Sequence, residues 1–332
     1  MKKVLAIAAA ALLALGAFAQ EVSFENDLFT DTVKIENDGV SFPGIGDEVI
    51  VDFTSDRVDF GVDATSAYFL SQSTFSLVDW DIDWYVEFRP VQMLTLGFHD
   101  PVFTTGSYLP VEDDNIATGN FATENGFALI VRPVNGLRIG TGLDFGYDLA
   151  GDNKQNPDIS FGFDYMVSSN DSDLVAFGAS VRDVANDSRS AGAYVSFVGL
   201  EGAEINLGYT WNDADGMEDV AGTNLVSLGA TYAEGAFSCK FDFVTDFAGS
   251  GYDMYAGLLA GYKFADNFGA DFRFRAWADF NNETSTTIDF RPRAKFFIGE
   301  EQGLYIATNV ALTFADSLAY TVKFPIVYWI AF

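Results

Sequence analysis

The chain has 332 residues, 48 of them acidic against 18 basic, for a formal net charge of −30. That balance excludes a basic face for nucleic acid or for anionic headgroups. A single cysteine excludes an intramolecular disulfide and any cysteine-based metal site.

Met1-Lys2-Lys3 is a short basic start, Val4 to Phe18 is an uncharged run rich in Ala and Leu, and Ala17-Phe18-Ala19 is a small-x-small cleavage pattern. Together they read as a secretory signal peptide cleaved after Ala19, with Gln20 opening the mature chain. No cysteine follows the cut, which excludes a lipoprotein. Without Lys2 and Lys3, 16 basic residues face 48 acidic ones, a net of −32. Beyond this leader no apolar run approaches the ~20 residues of a membrane-crossing helix.

Residues 20–56 are read either as the first strands, from VSFENDLFTDTVKI and EVIVDF, or as an N-terminal extension. From there sixteen alternating runs follow one another: 57–71, 79–90, 93–100, 125–133, 137–148, 158–168, 173–184, 190–199, 203–212, 223–234, 237–248, 252–264, 268–281, 285–299, 303–315 and 318–332. The expected count is about sixteen, within a range of 14–18. Most runs exceed the ~5–6 residues usual in soluble sheets and suit the ~9–11 that a tilted strand needs to cross a bilayer. Short links at Val91–Gln92, Val134–Gly136, Ser169–Ser172, Gly199–Gly202, Glu234–Ala236, Ala265–Asn267 and Glu300–Gln302 alternate with longer segments rich in Asp, Asn and Gly. Short turns on one side and longer loops on the other is the outer-membrane arrangement.

Period-two alternation assigns the faces. Trp80, Ile82, Trp84, Val86 and Phe88 oppose Asp81, Asp83, Tyr85, Glu87 and Arg89. Phe272, Phe274 and Phe280 oppose Arg273, Arg275 and Asp279, and Ile288, Phe290 and Pro292 oppose Asp289, Arg291, Arg293 and Lys295. Read as helices, these runs would mix Arg and Phe on every face. Arg or Lys toward lipid costs ~2–4 kcal/mol near the midplane, so the ionised face belongs inside. Cys239 shares its face with Phe237, Phe241 and Phe243 and is expected to meet lipid.

Spanning without helices leaves a closed barrel, because every backbone polar group must pair inside hydrocarbon. The expected fold is therefore all-β: a transmembrane antiparallel up-and-down barrel that forms one domain over 20–332. The alternative is a soluble sandwich with its greasy rows pressed between two sheets.

The candidate pore lining is a basic wall of Arg273, Arg275, Arg291, Arg293 and Lys295, with Asp81, Asp83 and Glu87 near the other end of the strand order. Either the two groups set up a transverse field, or Asp271, Asp279 and Asp289 neutralise the basic wall locally. The longest connection, 100–125, carries Glu112, Asp113 and Asp114 and is a candidate constriction loop; a surface loop is the other reading. No catalytic set is found. The lone His99 supplies no triad, no GxSxG occurs, and zinc clusters are missing. The NDADGMEDVAG segment has Trp211 and Gly222 where a calcium loop needs carboxylates. Neither a cofactor nor a metal is expected.

The last strand is the most regular. Leu318, Tyr320, Val322, Phe324, Ile326, Tyr328, Ile330 and Phe332 form one continuous apolar row that includes the final residue. With the signal peptide and the alternating strands, this row resembles the bacterial outer-membrane β-barrels of the porin type, over almost all of the mature chain. The resemblance implies passive diffusion of small hydrophilic solutes and ions through the outer membrane of a diderm bacterium. It also implies contact with outer-membrane lipid, handling by the barrel-assembly machinery through Tyr328, Ile330 and Phe332, and often a homo-trimer. An adhesin or surface antigen that binds through its loops, and a substrate-specific transporter, are the alternatives.

Overall fold

The computed structural model describes residues 21–37, 39–41, 45–71, 74–99, 126–144, 158–169, 172–182, 184–185, 189–212, 224–247, 253–279, 285–298, 302–315 and 317–331. The signal peptide, loop 100–125 with Glu112, Asp113 and Asp114, most of the NDADGMEDVAG segment and Phe332 lie outside them. Within them the chain is all strand: β1 (Glu21–Glu36), β2 (Gly39–Ser41), β3 (Ile45–Thr54), β4 (Val58–Ser71), β5 (Thr74–Val91), β6 (Leu94–His99), β7 (Gly126–Val134), β8 (Leu137–Asp144), β9 (Asp158–Ser169), β10 (Ser172–Arg182), β11 (Ser190–Leu200), β12 (Ala203–Asn212), β13 (Asn224–Glu234), β14 (Phe237–Asp246), β15 (Asp253–Ala265), β16 (Phe268–Asp279), β17 (Ser285–Phe297), β18 (Gln302–Ala307), β19 (Asn309–Phe314) and β20 (Leu318–Ala331).

Each strand pairs antiparallel with its neighbours in sequence, and the sheet closes where β1 pairs β20, from Glu25↔Ala331 to Glu36↔Thr321. β2 is a three-residue arm on β1, and β18 and β19 both pair β17 and β20 as two halves of one crossing. The wall therefore has eighteen crossings, at the top of the expected range. The two beyond sixteen are β1 and β3, so residues 21–54 open the barrel rather than extend from it. Among the described residues all strands belong to one sheet, which removes the sandwich reading.

The break at Thr308 has a local cause. Pro292 on β17 and Pro325 on β20 lack N–H donors, and they flank the broken crossing. Thr308 N still donates to the Pro292 carbonyl at 3.2 Å, but no N–H returns the bond.

The links β5–β6, β7–β8, β9–β10, β11–β12, β13–β14, β15–β16 and β17–β18 are all short and share one rim, as the sequence reading expects. Gly136 and Gly202 sit in such turns with φ of +81° and +68°. At both, a side chain would also run into a carbonyl of the adjoining strand, Met166 O or Ala233 O.

Candidate pore lining

Register ties each residue to one on the next strand, so one row can be followed around the closed wall. Asp27 stands opposite Trp329, Trp329 opposite Gly303, Gly303 opposite Phe297 and Arg293 opposite Asp271. Every residue in register with this row shares its face. That face carries the buried Thr95, Ser160, Asp164, Ser180, Ser196, Ser227, Asp242, Asp271, Arg273 and Asp289. The opposite face carries Trp84, Phe88, Ile139, Phe161, Phe163, Leu207, Phe241 and Phe272, each more than a third exposed. A water-soluble fold has these classes the other way round. Cys239 lies on the outer face with Phe241, as expected.

The five cations of the expected basic wall come together on the inner face of two adjacent strands. Arg273 stands opposite Arg291, Arg275 opposite Asp289 and Arg293 opposite Asp271. Arg293 Nε donates to Asp271 Oδ1 at 2.6 Å, and Lys295 Nζ lies 2.7 Å from its Oδ2. Arg273 donates to Asp289 at 3.1 Å, with Arg275 3.6 Å from the same oxygen. Arg275 also lies over the Trp277 ring at 4.6 Å and Arg293 over Tyr305 at 5.1 Å, each a favourable cation–π placement. Local pairing is therefore present, with Asp271 and Asp289 each serving two of the five cations.

Glu87 lies in the inner row of β5, and Asp83 and Asp81 hold register positions four and six residues along the same strand, in a larger acidic arc that the sequence reading does not assemble. Asp83 stands opposite Asp63, and Glu87 opposite Asp59. Glu48 stands opposite Asp27 on one side and Thr65 on the other. Glu25 and Asp52 complete the arc on β1 and β3. Arg89 answers part of it, pairing with Asp59 and lying 3.3 Å from Glu87. Tyr85 donates to Asp52 at 3.1 Å, and its ring fills the space that Gly61 leaves open on β4. Farther round, Arg138 pairs with Asp164 through its Nε at 2.9 Å and a second contact, and Arg132 donates to Thr95 at 2.5 Å.

Only the broken β18–β19 crossing and β20 separate the basic wall from the acidic arc. The two meet across the closing seam, roughly 14 Å apart along the sheet at ~4.8 Å per strand. Tyr305, Val327 and Trp329 fill the strip between them. His99 stands opposite Tyr85. No group of three or more His, Cys, Asp or Glu able to hold a metal occurs among the described residues, and no helix there is long and apolar enough to cross a membrane. Tyr328 and Ile330 lie in the outer row of β20, opposite Leu28 and Asn26. Tyr328 donates to Gln302 at 3.3 Å.

A closed antiparallel barrel with an apolar outside and an ionised inside is the fold of outer-membrane porin-type channels. Solved structures agree. The outer membrane protein OpdK of Pseudomonas aeruginosa matches with a TM-score of 0.58 at 14% identity, over 95% of this chain and 100% of that one. OpdL of the same organism gives 0.62 at 11% identity, over 94% and 98%. OccAB1 of Acinetobacter baumannii gives 0.59 at 12%, over 95% and 97%. No protein-family model matches the chain, and no curated protein sequence does.

Proposed function

We propose that this protein is an outer-membrane channel through which small hydrophilic solutes and ions pass by diffusion. One observation carries the reading: ionised side chains line the inside of a wall whose outside is apolar. Ionised groups on an inner face need water, since a dry interior costs several kcal/mol per unpaired ion, and barrels of 16–18 strands leave an aqueous lumen. No covalent step is required. The lumen works by width and by the field of its lining. The basic wall on β16 and β17 and the acidic arc on β1 to β5 orient that field across the seam side of the lumen. Glu112, Asp113 and Asp114 are then the candidate constriction, and the Tyr328, Ile330 and Phe332 row is the handle for the assembly machinery. The signal peptide supports export to the outer membrane of a diderm bacterium.

Selective uptake is a second reading, supported by the gathering of five cations on two adjacent strands. OpdK, one of the similarly folded barrels, has been solved with vanillate, an anion. Planar-bilayer recordings of refolded protein test the proposal. Stable open steps whose reversal potential follows a salt gradient are expected. A silent bilayer, with tight binding of a matrix protein through the loops, would leave an adhesin instead.

A further inference from the structure

The ladder of the wall is interrupted along one line beside the closing seam. β17 pairs β18 up to Arg293↔Ala307 and resumes with β19 at Phe290↔Val310, which leaves Arg291 and Pro292 out of register pairs there. β20 pairs β18 up to Ile306↔Ile326 and resumes with β19 at Asn309↔Lys323, which leaves Phe324 and Pro325 out on that side. On the other side of β20 the register with β1 shifts between Asp31↔Pro325 and Lys34↔Lys323. Successive strand interfaces are thus interrupted at one height, midway along β17 and β20. The register shifts of β5–β6, β7–β8, β9–β10, β11–β12 and β15–β16 sit instead beside turns. The lining changes at the same place. Between Arg293 and the acidic arc the inner face carries Tyr305, Ala307, Pro325 and Val327, of which Ala307 and Val327 are buried. The outer face carries Ile306 and Phe324, each more than a third exposed. Apolar side chains therefore cover both faces where the ladder is broken, while the wall on either side is ionised within.

Backbone groups without ladder partners are costly against hydrocarbon, and segments with few backbone bonds open locally before the rest of a fold. An opening here has acyl chains on one side and an apolar strip of the lumen on the other. The cations beside it are Arg293, opposite Ala307, and Lys323, two residues from Pro325. The molecule that fits has an apolar tail and one anionic head. We propose that the interrupted line is a lateral passage, by which a long-chain carboxylate moves between the lumen and the hydrocarbon of the membrane. The tail crosses between β19 and β20, and the head stays with Arg293 and Lys323 until it leaves. This activity is additional to the diffusion of hydrophilic solutes. It rests on the membrane placement in the proposed function but not on conduction.

Uptake of radiolabelled dodecanoate tests it, with the full chain expressed in the outer membrane of a host that lacks its own long-chain uptake. The wild type is expected to speed entry over cells without the protein. P292V/P325V, which returns two N–H donors to the ladder, is expected to lose that gain and to keep the ion conductance of a folded barrel. In C239A/I306C/I326C the new thiols face each other beside the line. Oxidation to the disulfide is expected to stop uptake, and dithiothreitol to restore it. In lipid nanodiscs, backbone hydrogen exchange over 306–309 and 323–326 is expected to be fast in the wild type and slow in P292V/P325V. A wild type that takes up no dodecanoate overturns the inference. So does uptake that survives the disulfide, and so does slow exchange along the line in the wild type. Uptake without ion conductance would instead count against the channel reading.

Discussion

Arg293 and Asp271 face each other across the β16–β17 ladder, joined at 2.6 Å, each almost fully buried in the inner face. The carboxylate serves two cations, because Lys295 reaches its other oxygen at 2.7 Å. Asp289 does the same for Arg273 and Arg275. The basic wall is thus held open by two aspartates, and removing one has consequences for both stability and selectivity.

Asp271→Asn is expected to lower barrel stability by about 3 kcal/mol, because it leaves a buried guanidinium without its counter-charge. Urea unfolding in vesicles, followed by tryptophan fluorescence, reads the loss. In the bilayer the same variant is expected to raise anion preference, since the wall loses one negative charge. A stability change below about 1 kcal/mol would show that water already meets Arg293.

Neutralising Arg273, Arg275, Arg291 and Arg293 together is expected to shift the reversal potential toward cation preference. The acidic arc then dominates the lumen, with Glu48, Asp59, Asp63 and Glu87 in place. A reversal potential that stays where it was under the same salt gradient would remove the wall from any role in selectivity.

Gly136→Ala is expected to cost about 1–2 kcal/mol. The left-handed backbone penalises a side chain, and the added carbon meets the Met166 carbonyl. Gly235, at φ +58°, has nothing within 4 Å of the same carbon, so Gly235→Ala should cost less. Thermal unfolding of the two variants side by side checks the order.

Phe241→Arg is expected to destabilise by about 2–4 kcal/mol, because Phe241 is 41% exposed on the outer face and the charge would meet acyl chains. Lys240→Gln, one residue away on the inner face, is expected to cost less, because the neutral side chain stays on the aqueous side of the wall. Equal costs for the two would mean that the faces are not divided between lipid and water.

The strands from β4 onward were legible because each carries its own two-sided code. In FRFRAWAD, or in TIDFRPRAK, Arg and Phe never share a face, so the local pattern and the barrel agree. Residues 20–56 resisted because the outward rows there hold Asn26 and Asp47, while Phe29 turns inward over Gly46. Those exceptions blur the alternation of VSFENDLF. The split of β18 and β19 had a visible signal in Pro292 and Pro325, but a proline shows its effect only once its neighbours across the sheet are known.

Alternation alone determined that one face of each strand is greasy and the other ionised, and hence that the chain forms a wall between lipid and water. That information is local, a property of residues two apart. What it could not supply was pairing between distant segments. Asp27 meets Trp329 across some 300 positions, and only that closure brings the acidic arc of β1 to β5 beside the basic wall of β16 and β17. Backbone hydrogen bonds set the register and the closing seam, and backbone groups are the same in every residue. The composition of the inner surface therefore became readable only in the folded barrel.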